Sequence, residues 1–309
     1  MIGKNYFDIP NDYRQVFGRP RFSLTRVSQV EVAREYNEGE VDELSCKIIE
    51  FLKDTTFATA DQISRACDIQ ELSILDDLYN RMYINKFVMS QYDDTNVISE
   101  ADALIIYTLD YGGDYLLSLK GFDMTRWNYT EAIAGAQKVK KGLVQTEVLI
   151  GLRQASKLNL DNYQSFPMMT VGRDDVKVDF KATLTSSLGK EFNFLGCIVP
   201  AGTEAFEFTN QLLLLDKIFN QTKTWMKYYP MGDSSKPHLM VIIQDSKDKE
   251  RLLRTIKALA HSSEFNGADV LILGFDDIIQ NGFGNSRIYT FLKDNEDKIN
   301  VRGMTNIFK

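Results

Sequence analysis

The sequence predicts a mixed α/β protein, α+β overall, in two parts of different texture. Residues 41 to 122 run helix, short helix, longer helix and then two short strands. Residues 143 to 309 alternate apolar strands with amphipathic helices, the pattern of a mixed sheet covered by helices. The length agrees: 309 residues, at roughly 150 per domain, suggest about two domains.

In the first part Leu44, Ile48 and Leu52, with Ile49 and Phe51, recur at helical spacing. After a break, Thr59-Ala60-Asp61-Gln62 has the form of a capping box. The Thr oxygen accepts from the third amide, and Gln reaches back to the cap. The short helix that follows presents Ile63, Ala66 and Cys67. A longer one carries Leu72, Leu75, Leu78, Tyr79 and Met82 on one face and is expected to end near Asn85. Phe87 to Gln91 and Leu104 to Leu109 read as strands around turn chemistry at Asp93 to Asn96. Helices followed by a two-stranded wing make a winged helix-turn-helix domain over residues 41–122. Residues 1–40 precede it as a basic arm, and 123–142 follow as a linker or connecting helix.

The second part begins with a helical stretch, Leu143 to Leu152. Strands are expected at Met168 to Val171, Lys177 to Ala182, Glu191 to Val199, Leu239 to Ile243 and Val270 to Phe275. Helices are expected at Thr203 to Tyr229 and Asp245 to His261. Gly282-Phe283-Gly284-Asn285 lacks the flanking strand and helix of a phosphate loop and reads as a hairpin or loop.

Composition narrows the function classes. The chain is 44% hydrophobic and carries 36 Lys and Arg against 43 Asp and Glu, a net −7. Disorder as the main state is excluded, and so is a uniformly basic nucleic-acid coat. Cys46, Cys67 and Cys197 lie far apart and the histidines number two, which argues against a structural zinc site and fits a reducing cytoplasm. Cys46 and Cys67 fall on apolar faces and are expected in the core. No apolar run approaches the roughly 18 residues of a membrane span, and the N-terminus lacks a signal peptide's apolar region. The expected location is cytoplasmic, with no membrane partner.

Positive charge gathers locally. The first 30 residues hold Lys4, Arg14, Arg19, Arg21 and Arg26 against Asp8 and Asp12. Such an arm suits a groove or phosphate backbone; the alternative is a tail packed on the second domain. In winged helices the third helix usually enters the major groove. Its outward face here carries Ser73, Asp76, Asp77, Asn80 and Arg81, and the two aspartates repel phosphates. Candidate DNA contacts are therefore Arg14, Arg19, Arg21, Arg26, Arg65, Asn80, Arg81 and Lys86. The alternative is a module turned over to dimerisation or partner binding. The charged helix from Lys247 to Lys257 reads as a solvated face with i,i+4 pairs.

In the second part a helix with Glu147, a strand with Asp179 and a strand ending Cys197-Ile198-Val199 follow the order of a PD-(D/E)xK nuclease core. That core gathers carboxylates at one edge to hold Mg²⁺. Cys197 and Val199 stand where the later acid and its partner belong, and neither suits Mg²⁺. Glu191 lies too far along its strand, and Glu204 or Glu207 would have to replace the missing ligands. A degenerate, non-cleaving fold without a cofactor is expected. The alternative is a Mg²⁺-dependent nuclease using Glu147, Asp179 and Glu204.

The segments IIYTLD, VKVDFKA, FNFLGCIVPAGTEAF and PHLMVII resemble the replication-relaxation proteins of plasmids and other mobile elements, over about residues 40 to 275. Thr203 and Glu204 match the family's pattern, as does the acid of Val178-Asp179; the later acids are absent. The resemblance implies a winged helix joined to a restriction-endonuclease-like domain. It also implies a role in replication, mobilisation or transfer. The expected protein is a non-catalytic DNA-binding accessory protein, with double-stranded DNA, a replication or relaxase protein and a second copy of itself as partners.

Overall fold

A computed structural model describes residues 6, 9–19, 27–92, 103–124, 130, 132–154, 158–171, 174–220, 237–260, 270–291 and 299–303. The chain divides into two units, Met1–Thr146 and Glu147–Lys309. The division falls between Thr146 and Glu147, inside the stretch expected to open the second part as a helix. The expected arm (1–40) and linker (123–142) belong to the first unit instead of standing apart from it.

The first unit contains β1 (Arg14–Phe17), α1 (Gln29–Asn37), α2 (Glu43–Thr55), β2 (Ala58–Thr59), α3 (Ala60–Cys67), α4 (Ser73–Asn80), β3 (Ile84–Ser90), β4 (Ile106–Leu109) and α5 (Tyr111–Leu119). Its antiparallel sheet has the order β1-β3-β4-β2. Asp42 caps α2 through the Ser45 amide, and Ile48, Ile49, Phe51 and Leu52 are buried. The capping box of Thr59 and Gln62 starts α3 as expected. Gln62 is wholly buried, and its Nε2 donates to the carbonyl of Leu143. Cys46 and Cys67 are buried, as their apolar faces require.

Helix α4 stops at Asn80, earlier than expected. Met82 adopts a left-handed φ of 62°. The amide of Tyr83 reaches back to Leu78 O and that of Met82 to Tyr79 O, the double bond of a Schellman stop. Asn85 therefore lies in β3, paired with Thr108 of β4. Directly after β4, Asp110 caps α5 through the Tyr111 amide. Gly112 and Gly113 let α5 rest on the Met82–Tyr83 backbone: a Cβ on Gly113 would sit 2.5 Å from Tyr83 O.

Residues 14–17 form an edge strand of the first unit's sheet, where a groove-binding arm or a tail packed on the second domain was expected. β1 lies antiparallel to β3, with Phe17 opposite Phe87 and their ring centroids 5.1 Å apart. The Gln15 side chain donates to Ala132 O and accepts from the Ala134 amide. The tail thus packs within the first unit. Sequence reading missed it because its partners lie more than 60 positions away.

The second unit contains β5 (Leu158–Ser165), β6 (Met168–Val171), β7 (Asp174–Lys177), β8 (Phe180–Ser186), β9 (Glu191–Val199), α7 (Ala205–Asn220), β10 (His238–Ile243), α8 (Ser246–Ala260), β11 (Val270–Gly274), α9 (Phe275–Asn281), β12 (Arg287–Phe291) and β13 (Ile299–Gly303). A mixed seven-stranded sheet runs β13-β12-β11-β10-β9-β8-β5, and β6 and β7 form a separate ribbon. Strands β9, β10 and β11 are mutually parallel. Their sequences are nearly continuous apolar runs, as parallel strands buried on both faces require. Cys197, Val199, Val241 and Ile243 pack with Phe208 and Leu212 of α7 and Leu252 and Leu253 of α8 in one core cluster. The expected long helix is described only to Asn220, and Gly282 to Asn285 form a short turn before β12.

Helix α6 (Ala136–Gln154) contains the boundary between the units. Before the boundary, a Cβ on Gly142 would meet the Phe57 ring at 2.6 Å, and Thr146 Oγ1 donates to Phe57 O. Beyond it, Gly151 packs against Phe283. Among the described residues no helix is long and apolar enough to cross a membrane.

Candidate functional site

Among the described residues, three candidate cations of the first unit, Arg19, Arg81 and Lys86, meet side chains of α4, and each has an acidic partner. Lys86 of β3 places its Nζ 2.9 Å from Asp76 Oδ1 and 4.5 Å from the centre of the Tyr79 ring. Arg19 approaches the same ring from the end of the N-terminal segment, its guanidinium carbon 4.1 Å from the centroid. Its Nη2 also donates to Ile84 O and lies 3.2 Å from Asp110. Both Arg19 and Asp110 are largely buried, at 14% and 6% side-chain exposure. Burial raises the Asp110 carboxyl; the Tyr111 amide and Arg19 offset only part of that rise. Tyr107, the register partner of Lys86, is pushed to about 12, first by burial and then by the charge of Asp76.

Arg81 serves the fold. Its Nη2 lies 2.6 Å from Glu35 of α1, which also accepts from the Tyr83 hydroxyl at 2.7 Å. Its Nη1 donates to Glu40 O and faces Asp77 at 3.4 Å. Burial pushes the Glu35 carboxyl up, but the Tyr83 hydroxyl and the Arg81 guanidinium outweigh it and hold the group below its ordinary range. Burial and the Glu35 charge push the Tyr83 hydroxyl up strongly. Arg65 pairs with Asp61 at 2.9 Å, one helical turn away on α3. Arg14 is exposed on β1, and Asn80 is exposed at the end of α4. Arg21 and Arg26 lie outside the described residues.

Charge is divided unevenly. Residues 1–146 hold 16 Lys and Arg against 23 Asp and Glu, whereas residues 147–309 hold 20 of each. The whole net charge of −7 therefore sits on the unit expected to meet DNA.

In the second unit the three candidate acids do not form a cation site. Asp179 breaks the expected strand 177–182 between β7 and β8. Its amide donates to Gly196 O, and its carboxylate accepts from the Ile198 amide at 2.6 Å. It is 7% exposed and ties β8 to β9. Glu147 is buried in α6. Glu204 is 80% exposed and stands 4.0 Å from Arg251. Cys197 and Val199, at the positions where a nuclease core was expected to carry its later acids, lie in the apolar cluster with residues of α7 and α8. Glu191 is exposed at the start of β9, and Glu207 is exposed on α7. Among the described residues no three His, Cys, Asp or Glu side chains are grouped to hold a metal ion. The nuclease ligand set of Glu147, Asp179 and Glu204 is thus not assembled.

The loop after β9 is fixed by α8: the Gly202 amide donates to Asp248, and Arg251 donates to Thr203 O and to Asp248. Together with the Arg254–Glu250 pair, these contacts make α8 the self-paired helix face that its sequence suggests. Sequence reasoning missed Tyr79 as a platform for two cations and Glu35 as the holder of Arg81. Neither leaves a periodic signal, because each depends on contacts between distant segments. No protein-family model matches the chain, and no curated protein or solved structure matches it either.

Proposed function

We propose that the chain is a non-cleaving, DNA-binding accessory protein of a mobile genetic element. Its first unit is a winged helix, and its second is a nuclease-like scaffold. The order α2-β2-α3-α4-β3-β4, with β2, β3 and β4 in one antiparallel sheet, supports the winged helix. The succession α6-β5-β8-β9-α7-β10, an antiparallel meander whose last strand is parallel to β10, supports the nuclease-like fold.

One observation carries the DNA role: Arg19 and Lys86, 67 positions apart, converge on one tyrosine of the third helix. Lys86, Arg65 and Arg14 supply phosphate contacts and Asn80 a base contact, while Arg19 and Arg81 hold the surface in shape. Loss of cutting is supported by Asp179, whose carboxylate is engaged by the Ile198 amide, and by the apolar packing of Cys197 and Val199.

Fluorescence anisotropy with duplex DNA in low salt tests the proposal. Micromolar binding that weakens steeply with salt is expected, with supercoiled plasmid left intact in Mg²⁺ or Mn²⁺. No binding at ten micromolar protein, or cleavage abolished by Asp179→Ala, overturns it. A second reading, a protein-interaction module, is favoured by the net −7 of the first unit. It predicts capture of a basic protein partner with no DNA affinity.

A further inference from the structure

We infer that Asp76 is a built-in competitor for phosphate, holding Lys86 in reserve on the flank of the third helix. The inference rests on the DNA-binding role proposed above and goes beyond it, because it assigns a restraint on that binding to one side chain.

The geometry has three parts. Tyr79 fixes the place. It is anchored from one side by Arg19, itself largely buried through Asp110 and Ile84 O. The ammonium of Lys86 lies over the same ring, 4.5 Å from its centre. A cation held over an aromatic face is pre-positioned and keeps donors for a further acceptor. The second part is the acceptor already present. Asp76 Oδ1 lies 2.9 Å from Lys86 Nζ, the distance and charge that a phosphate oxygen would offer.

The third part is the asymmetry of the pair. Asp76 is 66% exposed, whereas Lys86 is 19% exposed. The carboxylate can therefore swing into water at small cost, while the lysine stays on its ring. An ion pair whose carboxylate is this exposed is screened by water and worth little, so a polyanion can displace it. Tyr107, buried and paired in register with Lys86, is unionised and adds no charge. The other charged residue of α4, Asp77, faces Arg81.

Duplex binding then has a built-in threshold. Each bound complex must first expel a carboxylate from Lys86, which favours DNA presented at high local concentration or bent onto the surface. The partner class is the sugar-phosphate backbone, without base specificity.

Duplex titrations of the full chain as wild type, Asp76→Asn, Lys86→Gln and the double variant test the inference, with thermal melts confirming that each is folded. Asp76→Asn is expected to tighten binding roughly fivefold at low salt and to steepen the salt slope by about one. Lys86→Gln is expected to weaken binding, and Asp76→Asn should have little effect in its presence. The inference is overturned if Asp76→Asn leaves affinity within twofold of wild type. It is equally overturned if Asp76→Asn tightens binding as much with Gln at position 86, since the effect would then be general repulsion. If neither the wild type nor Asp76→Asn binds DNA, the proposed function itself has failed.

Discussion

Removing the carboxylate of Asp179 separates a structural role from a catalytic one. In Asp179→Ala the Ile198 amide loses its acceptor, which now lies 2.6 Å away in a site that is 7% exposed. Orphaning a buried donor that had a charged acceptor costs about 1.5–3 kcal/mol. At a urea m-value of about 2 kcal/mol/M, the midpoint falls by roughly 1 M. Asp179→Asn keeps an amide oxygen to receive the Ile198 N–H and should recover most of that loss. Urea titration by far-UV circular dichroism at neutral pH, with wild type and both variants side by side, measures the difference. If Asp179→Ala unfolds at the wild-type midpoint, the carboxylate is not the clamp between β8 and β9 described above. If Asp179→Asn is as unstable as Asp179→Ala, the hydrogen-bond argument fails.

Two further outcomes follow from the first unit. Burial raises the Asp114 carboxyl from 3.8 to about 6. The folded protein therefore holds this proton more tightly than the unfolded chain, and stability falls as pH rises from about 4 through 6. Asp114→Asn should raise the calorimetric Tm at pH 7.5 and leave it unchanged near pH 4; a lower Tm at pH 7.5 would count against this. Gly113→Ala must push a methyl group toward Tyr83 O, 2.5 Å from the ideal Cβ, and should cost about 1–3 kcal/mol. Gly135→Ala, with nothing within 4 Å, should be near neutral in the same denaturation assay.

Local chemistry was legible from the sequence; long-range pairing was not. The Thr59–Gln62 box, the apolar spacing of α2 and the runs of β10 and β11 state their structure within a few residues. β1 does not, because Arg14 to Phe17 become a strand only through β3. The end of α4 was misplaced because a Met in the left-handed region is rare, and Asn85 is the commoner signal. At the candidate interface, residue types were visible but pairings were not. Arg19, Arg81 and Lys86 look alike in a sequence. Only the fold distinguishes a guanidinium committed to Glu35 from an ammonium facing an exposed aspartate. The apolar character of Cys197 and Val199 was plain from the letters, whereas the engagement of Asp179 by a backbone amide was not.

Helix α6 has a consequence for anyone dividing the gene. A fragment ending at residue 146 would finish in mid-helix, leaving up to four carbonyls without amide donors. The same frayed turn contains Leu143, whose carbonyl receives Gln62, and Thr146, which grips Phe57. A second fragment starting at 147 would lack the turns that nucleate its own opening helix. Overlapping pieces, each retaining all of residues 136–154, are the cuts that respect how this chain holds itself together.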